Sequence, residues 1–194
     1  MNKNRERGRT TRDRILSVAT GLFATAGYEA TSIETVLRET GISRGSLYHH
    51  FSGKEALFWA VMENLGEDVG ARLQEAVRDA GDAVATLRAG CLAWIRLAAD
   101  PAVQQIMLID APAVLGWERW RELDEQTLGG IRALLAEAAG QGRIPAELVD
   151  TTAHVLLAAV NEIALMISRA EDPEAALTTG EATVTRLVTG MVGA

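Results

Sequence analysis

A run of polar side chains between residues 43 and 54 contains the groups best placed to do chemistry in this chain. These residues are Ser43, Arg44, Gly45, Ser46, Tyr48, His49 and Lys54. An arginine guanidinium can donate two hydrogen bonds to guanine, and hydroxyl, imidazole and ammonium groups can bind phosphate oxygens. The glycine beside the arginine permits close approach to a base edge or a sugar. The pattern therefore indicates recognition of a nucleic acid.

Two short helices and a tight turn are predicted to position these side chains. Thr31–Glu34 has the pattern of a capping box, which predicts a helix from there to about Glu39. Gly41 supplies the turn, and Ser43 is placed to cap another short helix that ends near His50. This layout is that of a helix-turn-helix, in which the second helix enters the major groove of DNA while the first crosses the backbone.

The remainder of the chain has helical periodicity, which predicts an all-α fold. Nine helices are expected, from a first at about residues 10–26 to a ninth at about residues 172–189. A second capping box, at residues 52–55, opens a long fourth helix. Weak points are expected at Gly66 and Gly70, at Pro112, which should break a helix, and at the pair Gly129 and Gly130.

Charge is distributed unevenly along the 194 residues. The whole chain has a net charge of −7, but residues 1–54 hold nine Lys and Arg against five Asp and Glu, a net charge of +4. Residues 55–194 therefore carry a net charge of −11. Because the basic part contains the polar run, we expect an anionic partner there, with residues 1–9 as a basic flexible arm that reaches the flanking minor groove of DNA.

The composition argues against several other functions. A single cysteine, Cys91, excludes an intrachain disulfide and fits a reducing, cytoplasmic location. The charged amino terminus has no secretory pattern, and the most apolar stretch, residues 155–167, is predicted to be too short to span a membrane. No catalytic set stands out, and the adjacent His49 and His50 point in different directions on a helix. We therefore expect no enzyme activity, no cofactor and no metal site.

Residues 27–57 resemble the DNA-binding domain of the TetR family of bacterial transcription regulators. The shared features are Gly27-Tyr28, Thr31-Ser32, Gly41-Ile42-Ser43, the run from Gly45 to Phe51, and Lys54 with Leu57. The resemblance covers residues 10–60 in sequence, and chain length and helix pattern extend it to the whole chain. It implies a nine-helix fold with a helix-turn-helix DNA-binding domain at residues 10–54. A helical ligand-binding and dimerisation domain is expected at residues 55–194.

The resemblance also implies a role for each side chain of the motif. The expected phosphate contacts are Thr31, Ser32, Tyr48, His49 and Lys54. The expected base readers are Arg44, Gly45 and Ser46, and the hydroxyl of Ser43 can donate to a phosphate or a base.

The eighth predicted helix favours a homodimer. Residues 155–160 and 163–167 are apolar on nearly all sides, and such a helix lies either in a large core or between subunits. The subunit-interface interpretation gives twofold symmetry and places two recognition helices about 34–36 Å apart. It predicts a palindromic operator in double-stranded DNA. A monomer that buries these helices is the alternative.

A small-molecule effector is expected to bind in the carboxy-terminal body, as the resemblance implies. Apolar candidates for its pocket are Phe58, Met62, Cys91, Trp94, Ile95, Met107, Trp117, Trp120 and Met166. Polar candidates are His154, Asn161, Glu162 and Asp110. Ordinary core packing explains the apolar residues equally well, so both interpretations stay open.

Together these observations predict a ligand-responsive, sequence-specific DNA-binding regulator, a repressor that a small molecule releases from its operator. Its expected partners are double-stranded DNA, the effector and a second copy of the chain, with no membrane. The alternative is a DNA-binding protein that needs no ligand, an activator or a nucleoid-associated protein.

Overall fold

The structure, a computed structural model, describes the backbone of residues 2–192 and the side chains of residues 10–192 other than 117, 120, 121, 123 and 124. The elements in this range are α1 (Asn2–Ala30), α2 (Ile33–Thr40), α3 (Arg44–His50), α4 (Lys54–Val77), α5 (Ala83–Leu97), a π-helical segment (Val103–Asp110), α6 (Ala111–Gly140), a 3₁₀ turn (Ala146–Leu148), α7 (Val149–Ser168) and α8 (Pro173–Val192). All are helical, which confirms the predicted all-α class. Within the described range, the eight α-helices and the π-helical segment correspond to the nine predicted helices.

The first helix is longer than the sequence predicted. It begins at Asn2 rather than near Thr10, and it continues to Ala30 after a kink at Gly27. Gly27 has φ 77° and ψ 170°, a backbone conformation that is almost restricted to glycine. Met1 and the side chains of residues 2–9 lie outside the described residues, so the basic arm stays a prediction.

The sixth α-helix differs from the prediction at both of its expected weak points. Pro112 was expected to break a helix, but the π-helical segment continues directly into α6, whose second residue is Pro112. The N–H of Ala111, just before it, donates to the carbonyl of Ile106. The kink falls at Gly116, with φ 73° and ψ 165°, and not at the pair Gly129 and Gly130. Of these three glycines, Gly116 alone has a non-helical backbone, and the helix is kinked there.

Contacts divide the chain into two compact units, each with its own core. The N-terminal unit comprises Met1–Glu67 and Pro101–Gly116, and the C-terminal unit comprises Asp68–Asp100 and Trp117–Ala194. The segment Pro101–Gly116 thus folds with the N-terminal unit, although it follows α5 in sequence. The predicted functional division between residues 54 and 55 differs from this packing division and stays a prediction.

The core of the N-terminal unit forms where α1 packs against α2 and against the π-helical segment. Its fully buried side chains include Ile15, Phe23, Val36, Leu47, Leu57, Phe58, Val103 and Ile106. Phe23 and Phe58 meet edge to face with ring centroids 5.2 Å apart, a favourable arrangement for aromatic pairs. The core includes Val36 of α2 and Leu47 of α3, so both helices of the motif are anchored in it.

The core of the C-terminal unit forms between α5, α7 and α8. The helices α7 and α8 approach closely at Gly180, where a Cβ atom would lie 2.9 Å from Cδ1 of Ile167. One side of α7 is buried, through residues that include Leu156 and Val160, but Val155 and Met166 are 49% and 63% exposed. Helix α7 therefore has more apolar surface than packing within one chain buries.

The length argument against a membrane span does not hold for the whole of this helix. Among the described residues, Ala146–Ser168 forms one helical segment of 23 residues with a mean hydropathy of 1.4, long and apolar enough to cross a membrane by length and composition alone. Only 28% of its apolar window is buried within one chain. Core helices and subunit interfaces have the same composition.

Candidate nucleic-acid interface

Two serine caps and a left-handed glycine set the geometry of the helix-turn-helix. The Oγ of Ser32 accepts a hydrogen bond from the N–H of Thr35 at 3.0 Å, so the cap of α2 lies one residue later than the predicted box suggested. Gly41 has φ 67°, and its N–H donates to the carbonyl of Leu37 at 2.9 Å. The Oγ of Ser43 accepts from the N–H of Ser46, which confirms its predicted role as the cap of α3. These local contacts orient α3 relative to α2.

Helix α3 has one buried side and one open side. Leu47 is fully buried, whereas Ser43, Arg44, Gly45 and His49 are exposed and Tyr48 is 45% exposed. Ser46 and Ser32 are half-buried. A Cβ atom at Gly45 would meet no atom of the chain within 4 Å. No packing within the chain therefore requires glycine there, which leaves close approach of an external partner as a reason for it.

Arg44, the expected base reader, is already held by a carboxylate. Its Nη2 donates to Oε1 of Glu34 at 2.5 Å, and both side chains are more than half exposed. A hydrogen bond with the backbone of Glu34, and then the hydrogen bond from Arg44, keep the pKa of the Glu34 carboxyl below its ordinary value. Glu34 is therefore ionised at neutral pH. Nothing in the spacing of the two residues indicated this pair.

Lys54 lies on an aromatic platform at the start of α4. Its Nζ is 4.0 Å from the ring centroid of Tyr28 and 3.3 Å from the carbonyl oxygen of Glu29, to which it donates. The Tyr28 ring in turn meets Phe58 edge to face at 5.0 Å. Burial, followed by the charges of Glu55 and Glu29, raises the pKa of the Tyr28 hydroxyl. The ammonium group of Lys54 is thus placed before any partner arrives.

A second cation–aromatic contact was not anticipated from the sequence. The guanidinium carbon of Arg12 lies 5.5 Å from the ring centroid of Phe51, the residue that follows α3. Phe51 itself is buried, and Arg12 is exposed. Arg12 therefore adds a positive charge next to the end of α3. Only the general excess of basic residues before residue 15 pointed to it.

Thr31 does not share the exposed position of the other expected phosphate contacts. Only 2% of its surface is exposed, and its hydroxyl donates to the carbonyl of Gly27 at 2.8 Å. That hydroxyl supports the kink at Gly27, near the end of α1. A phosphate contact would require this hydroxyl to leave the interior and to give up its bond to Gly27.

Asp110 also has a structural contact instead of a free position in a pocket. Its Oδ2 accepts from the backbone N–H of Tyr28 at 2.7 Å, and its Oδ1 accepts from Nε2 of Gln105 at 3.1 Å. A Cβ atom at Gly27 would lie 3.3 Å from that Gln105 nitrogen. The carboxylate thus ties the π-helical segment to the kink at Gly27 in α1.

The remaining pocket candidates are divided between the two units. Phe58 and Met62 are buried and Met107 is half-buried in the N-terminal unit. In the C-terminal unit Cys91 and Ile95 are buried, and Nε1 of Trp94 donates to Oδ1 of Asn161 at 2.9 Å. Burial raises the pKa of the Cys91 thiol to about 12. Of the predicted set, Trp94 and Asn161 are therefore brought together.

Other candidates lie on the surface or outside the described residues. Glu162 and Met166 are exposed, and the exposed His154 lies 3.2 Å from Nη2 of Arg132. Arg132 also pairs with Glu125 and Asp150, which makes this a surface ion-pair cluster between α6 and α7. The side chains of Trp117 and Trp120 are outside the described part of the chain. Among the described residues, no group of three or more His, Cys, Asp or Glu is placed to hold a metal ion.

An open apolar groove of about 410 Å³ runs between α7 and α8. Its lining residues are Ile163, Met166, Ile167, Ala170, Ala175, Ala176, Thr179, Gly180 and Thr183. We call this surface, together with Val155, the α7–α8 face. It has the composition of a protein contact surface and lacks the charged groups that would favour solvent.

Comparisons with known proteins agree with this geometry. Residues 15–61 match the family described as "Bacterial regulatory proteins, tetR family", and residues 84–191 match "Tetracyclin repressor-like, C-terminal domain". The chain is 36% identical over 78 residues to the HTH-type transcriptional repressor KstR2 of Rhodococcus jostii, which covers 40% of this chain and 38% of that protein. It is 39% identical over 67 residues to the HTH-type transcriptional regulator UidR of Escherichia coli, 34% of each chain. The similarity to these curated relatives thus spans little more than a third of their length.

Similarity to solved structures extends over nearly the whole chain. A TetR-family transcriptional regulator from Pectobacterium atrosepticum is 29% identical, with 98% of each chain covered and a TM-score of 0.78. A TetR transcriptional regulator from Chloroflexus aurantiacus has a TM-score of 0.77 at 24% identity, which supports the fold, with 96% of this chain and 98% of that chain covered. Because the family matches cover both the helix-turn-helix and more than half of the chain beyond it, this protein belongs to the TetR family of transcriptional regulators, which are DNA-binding proteins and not enzymes.

Proposed function

We propose that this protein is a homodimeric repressor that binds a palindromic operator and is released from it by a small molecule. The main support comes from helix α3, which Leu47 anchors in the core. Its open side exposes Arg44, Gly45, Tyr48 and His49. In this arrangement Arg44, Gly45 and Ser46 read bases. Ser32, Ser43, Tyr48, His49 and Lys54 contact phosphates.

Dimerisation through the α7–α8 face supports the palindromic operator. TetR-family regulators act as dimers, and this face leaves Val155 and Met166 largely exposed in a single chain. Pairing two copies about a twofold axis would cover the face and set two α3 helices one DNA turn apart. A cytoplasmic location follows from the DNA-binding role.

Repression and ligand release rest on the C-terminal half. Residues 84–191 match a tetracyclin repressor-like domain, and the similar protein KstR2 is a transcriptional repressor. A ligand favours release only if it binds more tightly to a conformation that does not fit the operator. The hydrogen-bonded pair of Trp94 on α5 and Asn161 on α7 offers an aromatic surface and polar atoms for such a ligand.

Selection from a pool of randomised DNA duplexes, followed by a compound screen for release, tests the proposal. We expect the enriched duplexes to share an inverted repeat, and Arg44→Ala to cost about 1–3 kcal/mol and to relax selectivity at one base pair of each half-site. Enriched sequences without twofold symmetry would refute the proposal that a symmetric dimer binds the operator. Unchanged selectivity in Arg44→Ala would refute the assignment of the base reader.

A further inference from the structure

The ion pair between Glu34 and Arg44 lies on the surface that faces DNA in the proposed function. Glu34 is in the first turn of α2, and Arg44 is the first residue of α3. The contact of 2.5 Å joins Oε1 of Glu34 to Nη2 of Arg44 and therefore links the two helices of the motif. A carboxylate at this position is repelled by the phosphates of any duplex that approaches.

Protein stability is a poor explanation for this pair. Both side chains are well exposed, at 64% for Glu34 and 59% for Arg44, and exposed ion pairs contribute little to folding. The start of α2 does favour an acidic residue through the helix dipole. That effect needs no partner, and it does not account for a guanidinium reaching across from α3.

The geometry leaves Arg44 able to hold a base at the same time. The guanidinium is planar and has five N–H groups, and the contact with Glu34 is made by Nη2. Nη2 has two N–H groups, and the contact with Glu34 Oε1 needs one of them. The other lies beside an N–H of a neighbouring nitrogen, Nε or Nη1, so one coplanar pair of donors remains. A bidentate contact with guanine O6 and N7 needs two N–H groups in one plane. A guanidinium already fixed by a carboxylate loses less freedom when it binds a base.

We propose that Glu34 is a specificity-determining residue that orients Arg44 toward a base edge and weakens binding to every other sequence. The inference rests on the proposed function, since it requires Arg44 to read a base. The Glu34 carboxylate would thus have two separable effects. Orientation depends on a hydrogen-bond acceptor at the position of Oε1, whereas repulsion of phosphates depends on the negative charge.

Binding of two duplexes by Glu34→Ala and Glu34→Gln separates these effects. The probes are the duplex enriched by the wild-type protein, together with its single base-pair variants, and a scrambled duplex of the same length. Glu34→Ala should lose roughly tenfold in discrimination at the base pair that Arg44→Ala makes degenerate. It should bind the scrambled duplex about threefold more tightly at low salt. Glu34→Gln should show the same gain for the scrambled duplex but retain most of the discrimination, because its amide oxygen can still accept from Nη2.

Glu39→Ala is the matched control. Glu39 is also an exposed acidic residue of α2, but it pairs with the neighbouring Arg38 at 3.1 Å and not with α3. Its removal should leave discrimination at every base pair unchanged. In an Arg44→Ala background, Glu34→Ala should cause no further loss of discrimination, since the residue through which it acts is absent.

Each contrary outcome identifies what has failed. If Arg44→Ala loses discrimination while both Glu34 variants retain it, the role of Glu34 is wrong and the proposed function stands. Uniformly tighter binding of all duplexes by Glu34→Ala, with discrimination intact, likewise overturns the orienting role. If Arg44→Ala itself leaves discrimination unchanged, the base-reading assignment and this inference fail together. Far-UV circular dichroism of each variant checks the fold. If Glu34→Ala is not folded, the binding of the scrambled duplex by Glu34→Gln tests the repulsion of phosphates.

Discussion

The carboxylate of Asp110 accepts a 2.7 Å hydrogen bond from the backbone N–H of Tyr28, which lies 82 residues earlier in the chain. This contact closes the kink at Gly27 and fixes the residue whose ring lies under Lys54. The segment Val103–Asp110 is therefore part of the N-terminal unit, which also contains the helix-turn-helix. The orientation of α2 relative to α1 depends on a side chain far away in sequence.

Removal of the Asp110 carboxylate should destabilise the protein. In Asp110→Ala the part-buried N–H of Tyr28 loses its acceptor, which should lower the free energy of unfolding by about 1–3 kcal/mol. Asp110→Asn should lose less, because an amide oxygen can still accept. Urea unfolding followed by circular dichroism measures both. Glu63→Ala, at an exposed carboxylate of α4, is the control and should stay within about 0.5 kcal/mol of the wild type.

Two glycines of α1 should respond in opposite directions to alanine. Gly27→Ala should cost about 1–3 kcal/mol, because φ 77° with ψ 170° is strained for any residue with a Cβ atom. Gly21→Ala, where a Cβ would meet no atom within 4 Å, should stabilise by about 0.5–1 kcal/mol through helix propensity. Thermal unfolding of the two variants side by side decides the matter. Equal effects would contradict the described kink.

Lys54→Ala should weaken binding to all DNA sequences to a similar extent. The ammonium group held over Tyr28 is expected to contact one phosphate, so its loss should reduce the salt dependence of binding by about one released counterion per subunit. Titrations at several salt concentrations provide the slope. Arg88→Ala removes an exposed cation from α5 and should leave the slope unchanged. A selective loss at one base pair in Lys54→Ala would contradict a phosphate contact.

A charge on the α7–α8 face should separate the subunits without unfolding them. Met166 is 63% exposed in one chain, so Met166→Glu needs no rearrangement of the monomer core. At a subunit contact, however, the same carboxylate would be buried without a partner, and the dissociation constant of the dimer should rise by about 100-fold or more. Sedimentation velocity measures it. Arg88→Glu places the same residue on the exposed side of α5 and should remain dimeric.

The Cys91 thiol should be inert in the native protein. Its pKa is raised by burial from 9.0 to about 12, so at pH 8 the reactive thiolate is scarcer in the folded chain than in the unfolded chain. Alkylation by iodoacetamide should therefore be slow until urea unfolds the protein. Below pH 9 this thiol adds no pH dependence to stability. Between pH 9 and pH 12 the unfolded chain ionises first, and stability should fall. Rapid alkylation without denaturant would contradict the described burial.

The sequence predicted the features of the helix-turn-helix that depend on neighbouring residues. The Ser43 cap and the Gly41 turn are set by contacts three or four residues apart, and local patterns encode such contacts. The buried side of α3 follows from Leu47 in the same way. The cap of α2 was misplaced by one residue because the hydroxyl of Thr31 is drawn inward by the carbonyl of Gly27.

Features that join distant parts of the chain could not be predicted in this way. Asp110 was interpreted as a polar atom of a pocket, since nothing near it in sequence identifies Tyr28 as its donor. The pair of Glu34 and Arg44 crosses a turn whose angle sets the distance, and a pattern of residue types does not contain that angle. Pro112 was expected to end a helix because the residue types before it do not show that those turns are π-helical and continue directly into α6.

The open face on α7 and α8 has a genetic consequence. If two copies pair through this face, as proposed, a subunit with an inactive α3 would still pair with normal subunits, and each mixed dimer would have only one functional α3. When such defective chains are in excess, they sequester almost every normal chain, so alleles that alter Arg44 should be dominant over the wild type. Alleles that place a charge at Met166 should instead be recessive, because their products pair with nothing and leave the normal protein alone.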